Sequence, residues 1–316
     1  MIAGIHVGLP KTATSLLRAN LFAHHSQIEY LGKFGEANSI FRDSAVREII
    51  MEIARGNVFQ PDLDRCRSLF DRSIAPAAED GKVPLWSSED LTAGSLRRRR
   101  ARAENFRAVF GDCRVIITLR HPVRFVESLY LYKLKAANVG PDVRLGTAPR
   151  YFRIDQWLGE ESRRPEKGVL THLEYARTIE MLADVFGRGA IGVFLFEQLA
   201  EDAPGFLRAL CEFIGIDPVE GKRLATGKRQ NDRWTSAQLD RFKAVERSAW
   251  RSTAFRFAPR SLRERMLSFD GADDGPRARA HLPPEWRARV AELTRPGNRW
   301  LVKEWNLPLD RYQYPL

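Results

Sequence analysis

The sequence predicts an α/β fold of three layers, α/β/α, around a central parallel sheet. Three observations predict it. Runs such as IAGIHV (2–7), CRVIITLR (113–120) and AIGVFLFEQL (190–199) are apolar through their middles, without the alternation of a strand that has one wet face. Stretches with helical spacing of apolar residues separate them, so the strands are joined by crossovers and run parallel. A chain of 316 residues, 44% of them hydrophobic, is long enough to bury such a sheet on both sides.

Taken in order, residues 2–7 form a first buried strand, and residues 14–24 a helix with Leu16, Leu17, Leu21 and Phe22 near one face. QIEYLG (27–32) is a short second strand. Residues 43–56 and 62–81 are helical, each stopping near a glycine. KVPLWSS (82–88) is a third strand. LRRRRARAENFR (96–107) is a helix with Leu96, Ala103, Phe106 and Val109 on the buried side and its arginines on a solvated face. After the strand at 113–120 a helix starts at Pro122, where a first turn tolerates proline. Residues 190–199 are another buried strand and 204–215 a helix. Residues 268–284 are the most loop-like stretch, followed by a helix over about 284–304. There is no repeat and no low-complexity linker. The expectation is one domain over 1–316, with its core in 2–217 and a variable part in 218–316.

Composition removes several function classes. No apolar run reaches the length of a membrane span. The N-terminal residues lack the basic, apolar and small-residue regions of an export signal. Three scattered cysteines, Cys66, Cys113 and Cys211, form neither a disulfide framework nor a zinc pattern, so a reducing cytoplasmic setting is expected. The formal charge of +11 suits an anionic partner. No base-reading motif accompanies it, so sequence-specific nucleic-acid binding is not expected.

Two segments carry the chemistry. In GIHVGLPKTATSLLRANLF (4–22) a strand gives way to a loop and then a helix. Such a loop lies at the C-terminal edge of a parallel sheet, where ligands bind. Amides at the new helix start favour an anion. Gly8 and Pro10 shape the turn, Lys11 adds a point charge, and Thr12, Thr14 and Ser15 add hydroxyls around Ala13. An ordinary turn with a capping threonine is the alternative. In VIITLRHPVRFVESLYLY (115–132) Arg120 closes a buried strand, and Ser128 follows eight residues later. A guanidinium grips phosphate bidentately and a hydroxyl can assist it.

Together these segments resemble the two cosubstrate-binding segments of sulfotransferases that use 3′-phosphoadenosine 5′-phosphosulfate (PAPS). GLPKTATSLL is similar to their 5′-phosphosulfate loop, and RHPVRFVESLY to their 3′-phosphate segment. HLEYARTIEMLADVFGRGAIGVFLFEQLAEDAPGFLRALCEFIGID resembles the family's central helix, strand and helix, so the likeness covers roughly residues 2–217. Beyond it, GKRQN (227–231) stands where family members place basic residues near the 3′-phosphate, which here means Lys228 and Arg229. The loop departs from the family pattern at Ala13, where a glycine is usual, and lacks the following aromatic.

The resemblance implies a P-loop-like sulfotransferase fold and transfer of a sulfuryl group from PAPS to a hydroxyl or amine, leaving 3′-phosphoadenosine 5′-phosphate (PAP). It implies no metal. The acceptor would be a small metabolite or a saccharide. Lys11 would stabilise charge on the departing phosphate. The proton-accepting base would be Glu36, after the second strand, or Glu89, after the third. Glu89 has an alternative role in a helix cap with Ser87 or Ser88, and His6 reads as a buried, hydrogen-bonded core histidine. Lys33 is a possible assistant to Lys11, or a solvated lysine. Competing functions are a P-loop kinase, which wants Gly-Lys-Ser/Thr, and a non-catalytic basic module for polyanions. Acceptor identity and oligomeric state have no signal in the sequence.

Overall fold

Strands and helices alternate along the chain in the computed structural model, which describes residues 3–34, 39–54, 59–140, 143–164, 168–224, 234–268 and 275–316. They divide into two compact units. The first comprises Met1–His121, Pro165–Gln230 and Glu292–Leu316, and the second Pro122–Arg164 and Asn231–Ala291.

The first unit holds a six-stranded sheet of β1 (Ala3–His6), β2 (Ile28–Phe34), β3 (Ile40–Phe41), β4 (Val83–Ser88), β5 (Cys113–Leu119) and β6 (Ile191–Leu195). The strand order is β3-β2-β4-β1-β5-β6. All pairings are parallel except β2 with β3. β1 therefore lies between β4 and β5, and all four of its residues are buried, as its unbroken apolar character demands. Gly32, at φ 110°, takes up a register shift in β2, and a Cβ there would meet the Ile40 carbonyl oxygen at 2.1 Å.

Helices cover both faces of this sheet. A short α1 (Thr14–Leu16) continues directly as a π-helical stretch, Leu17–Phe22. Its Leu17, Leu21 and Phe22 join Leu85, Ile116 and Phe194 of the strands in one apolar cluster, with Phe206, Leu207, Leu210 and Ile214. The remaining helices are α2 (Ser44–Ala54), α3 (Leu63–Ser73), α4 (Ala75–Glu79) and α5 (Leu96–Phe110), and after a stretch belonging to the second unit, α8 (Tyr175–Phe186), α9 (Phe196–Glu201), α10 (Ala203–Ile214) and α11 (Pro218–Leu224). α10 supplies the cluster residues 206–214, while α8 packs on β5 and β6 and against α5. The second unit is helical, with α6 (Pro122–Val139), α7 (Ile154–Ser162), α12 (Ser236–Arg247), α13 (Ala249–Phe257) and α14 (Arg260–Leu267). In its interior the Arg263 guanidinium donates to the carbonyls of Ala258 (2.9 Å) and Arg256 (2.7 Å). A last helix, α15 (Pro284–Trp305), leads into the C-terminal tail.

Two expectations need correction, and the sheet carries one addition. The strand expected over 190–199 ends at Leu195, and Phe196–Glu201 is helical: the Gln198 side chain accepts from the Leu195 amide, which starts a helix there. The expected parallel sheet is present, and the two-residue β3 adds one antiparallel pair on its edge. The charge run at 96–107 is helical, but Leu96 is exposed and Arg99 is 1% exposed. Arg99 Nε donates to the Gly94 carbonyl (2.8 Å), Nη1 to Thr178 Oγ1 (2.9 Å) and Nη2 to the Thr171 carbonyl (3.1 Å), so one arginine of the run is an internal strut.

Candidate functional site

β1 ends at His6, and the chain turns over residues 7–13 before α1 begins. Gly8 has to be glycine here. A Cβ would stand 2.0 Å from Thr14 Cγ2 and 2.8 Å from His6 Cε1, so the space it leaves is filled by the protein itself. Two non-glycine residues of the turn are left-handed, Lys11 at φ 65° and Ala13 at φ 68° with ψ 14°. For an L-residue this conformation costs roughly 1–2 kcal/mol. Ala13 thus adopts a positive φ that glycine takes freely and alanine disfavours. The turn leads through the short α1 into the π-helical stretch Leu17–Phe22, and π-helical turns are frequent at functional sites.

Two of the three hydroxyl residues here, Thr12 and Thr14, are buried. Thr12 is fully buried and donates to the Leu9 carbonyl at 2.6 Å. Thr14 donates to Glu89 Oε1 at 2.7 Å. Ser15 is exposed and accepts a long contact from Arg18 Nη2, 3.4 Å. The hydroxyls of Thr12 and Thr14 therefore donate within the chain.

Glu89 follows β4, whose Ser87 and Ser88 are buried. Its carboxylate accepts from Thr14 and lies 3.5 Å from Arg18 Nη2, so the side chain faces the loop. Only its backbone carbonyl bonds to Thr92, through the Thr92 hydroxyl and amide. Arg18 was not singled out in the sequence, although it lies four residues after Thr14, one helical turn on. Its charge reaches several neighbours. The Lys33 ammonium on β2 is shifted below the usual lysine range by burial first and by Arg18 second, with Glu89 opposing. Burial pushes the Tyr30 phenol up to about 12, against the pull of Arg18.

Beneath the loop His6 is fully buried. Nδ1 is 2.8 Å from Ser87 Oγ, and the ring meets Phe22 edge-on at 5.2 Å. Nε2 is buried without a hydrogen-bond partner among the described residues. Burial, assisted by Arg18, lowers its pKa to about 3, so the imidazole is neutral. This is the buried core histidine expected.

Arg120 emerges from the end of β5, beside β1. Its Nη1 donates to the Lys11 carbonyl at 2.9 Å, and Cζ lies 4.5 Å from the centre of the Phe196 ring. Loop, carboxylate and guanidinium thus meet at the C-terminal ends of β1, β4 and β5. Ser128 lies on α6, in the second unit; its hydroxyl is buried with no hydrogen-bond partner among the described residues. Pro10 is half-buried at the turn. Glu36, Lys228 and Arg229 lie outside the described residues. Among the described residues no group of three or more His, Cys, Asp or Glu side chains is placed to hold a metal ion, and no helix is long and apolar enough to cross a membrane.

No protein-family model matches the chain, and no curated protein matches it in sequence. It is similar to solved structures. One is a sulfotransferase from Alicyclobacillus acidocaldarius, with 19% identity and a TM-score of 0.49 over 83% of this chain and 99% of that one. Another is the sulfotransferase domain of the Synechococcus PCC 7002 olefin synthase, with 16% identity and a TM-score of 0.44 over 93% of this chain and 92% of that one. A third is the mouse sulfotransferase SULT7A1 complexed with PAP, with 12% identity and a TM-score of 0.40 over 71% of this chain and 64% of that one. Each of these three solved structures is a sulfotransferase or a sulfotransferase domain.

Proposed function

We propose that the chain is a sulfotransferase that moves a sulfuryl group from PAPS to a hydroxyl or amine of a small-molecule or saccharide acceptor. One observation carries the reading. A lysine-bearing loop, a carboxylate hydrogen-bonded to that loop and a strand-end arginine bonded to its backbone converge on one edge of the sheet. That arrangement suits an anionic donor held beside a group that can take a proton. The sequence pattern of the two segments supports the same donor.

The residues present fit a bis-anionic nucleotide. The left-handed Lys11 and Ala13 curl the loop that would take one anionic end. Lys11 and the amides of the helix start would hold the 5′-phosphosulfate, and Lys11 would stabilise charge on the phosphate as it departs. Arg120 would hold the 3′-phosphate, and the sequence pattern adds Ser128, Lys228 and Arg229 to it. When bound, PAPS supplies the activated sulfuryl group. Glu89 would orient the acceptor and take its proton on a carboxylate oxygen, with Thr14 fixing the carboxylate. Glu36 is the alternative base by sequence pattern. Arg18, 3.5 Å from Glu89 Oε1, would help hold that carboxylate in place. The three cysteines are free and buried, in keeping with the cytoplasmic setting proposed for this reaction.

The test is the shift in melting temperature with PAP and, separately, with ATP and Mg²⁺, since a ligand of the native state raises the midpoint. Stabilisation by PAP, followed by transfer from PAPS to an acceptor panel, is expected. Stabilisation by ATP and Mg²⁺ alone would overturn the reading in favour of a kinase.

A further inference from the structure

The two-residue turn Arg120–His121 joins β5 to a helix that begins with proline. Proline brings no amide of its own to brace the turn. Three distant segments of the first unit brace it instead. The hydroxyl of Tyr175, a residue 2% exposed, donates to the Arg120 carbonyl at 2.9 Å. The His121 amide donates to Glu197 Oε1 at 3.0 Å. The other oxygen of that carboxylate accepts from the Tyr314 hydroxyl at 2.9 Å. The C-terminal tail adds two more contacts. His121 Nε2 is 2.9 Å from the Gln313 carbonyl, and the His121 and Tyr314 rings lie 5.3 Å apart.

Glu197 is 6% exposed and Tyr314 is 4% exposed. A buried carboxylate is a costly device for holding one backbone amide. Its placement explains the cost. Glu197 directly follows Phe196, whose ring lies under the Arg120 guanidinium, and its carboxylate fixes the residue after Arg120. The same short helix start therefore touches both the side chain and the backbone of this turn. The tail is tied down again one turn further on α9, where Arg311 Nη2 (2.5 Å) and the Tyr312 hydroxyl (2.7 Å) both bond to Glu201.

We propose that Glu197 and Tyr314 are positioning residues, through which the C-terminal tail acts as a strap that sets the orientation of the Arg120 guanidinium toward the 3′-phosphate of the cosubstrate. The proposal rests on the reading of Arg120 given above. Neither residue touches the ligand; each acts through the turn. Losing the Tyr314 hydroxyl leaves a buried carboxylate oxygen unpaired and frees Glu197 to turn, and the His121 amide follows it.

The experiment compares PAP with adenosine 5′-monophosphate, which lacks the 3′-phosphate, by calorimetric titration of the full chain. The wild type binds PAP more tightly. In Tyr314→Phe the affinity for PAP falls about tenfold while that for the monophosphate is unchanged, since a hydrogen bond to a charged group is worth about that factor or more. Glu197→Gln keeps an acceptor oxygen for the His121 amide and is the second variant, with the same pattern expected. In an Arg120→Ala background neither change lowers PAP affinity further. Wild-type PAP affinity in both variants would overturn the strap and leave the sulfotransferase reading standing. Equal losses for the two nucleotides would also overturn it, because a merely structural role moves both. A wild type that does not distinguish PAP from the monophosphate would overturn the strap together with the assignment of Arg120.

Discussion

The Arg120 guanidinium is bonded to the backbone of Lys11: Nη1 donates to the Lys11 carbonyl at 2.9 Å. Residues 109 positions apart thus form one edge of one site. The interaction also means that Arg120 stabilises a loop residue held at φ 65°. Lys11→Ala and Arg120→Ala should each lose most of the thermal stabilisation by PAP, with affinity reduced about tenfold or more for each charged contact removed. Differential scanning fluorimetry across a PAP titration reads this directly. Undiminished shifts in both variants would remove the site from this edge of the sheet.

Glu89 takes the same loop from the other side through Thr14. Glu89→Gln should reduce turnover about 100-fold or more, the usual contribution of a general base, with PAP affinity little changed. Thr14→Val keeps the shape of the residue, frees the carboxylate, and should lower turnover by a smaller factor. Single-turnover assays with PAPS and an active acceptor measure both. Full activity of Glu89→Gln would move the base to Glu36.

The loop's conformation can be tested without a ligand. Gly8→Ala sets a methyl where Thr14 Cγ2 and His6 Cε1 already stand, and should destabilise by about 1–3 kcal/mol as an overpacking change. Ala13→Val puts a β-branched residue into a left-handed position and should cost about 2 kcal/mol. Ala13→Gly relieves the strain but gives up the methyl that packs on the apolar cluster, so its stability should stay within about 1 kcal/mol of wild type. Urea denaturation compares all three, and a wild-type midpoint for Ala13→Val would show that residue 13 is not left-handed.

His6 should make stability depend on pH. Its folded pKa of about 3 lies below the ordinary 6.5, so below pH 6.5 the unfolded chain binds a proton that the folded chain refuses. Its contribution is complete above that pH and is lost as pH falls toward 3, at about 1.4 kcal/mol per pH unit. His6→Asn, which can keep a bond to Ser87, should flatten this slope. Urea midpoints between pH 5 and pH 7 provide the comparison, and equal slopes in the two proteins would contradict a neutral, buried His6.

Much of the fold was legible because parallel strands buried on both faces must be apolar without interruption, as in β1 and β5. Phe196 was misplaced for the same reason. FLFEQL continues an apolar run, and only the Gln198 side chain at the Leu195 amide turns it into helix. Arg99 was hidden in its charge run, since pattern alone does not tell a solvated arginine from one whose partners lie 72 and 79 residues away. Arg18 was passed over because a basic residue on an amphipathic helix looks like any surface cation.

Periodicity, capping and strand length are local signals, and they were enough to mark β1, β4 and β5, the loop that follows β1 and the arginine that ends β5. Tertiary structure decided what those residues do to one another. Thr14 and Glu89, Arg120 and Lys11, and Glu197 and Tyr314 are brought together only by the crossovers of the sheet and the return of the tail. The left-handed state of Ala13 is likewise a tertiary fact: alanine disfavours it locally, and it persists because the loop is held on both sides.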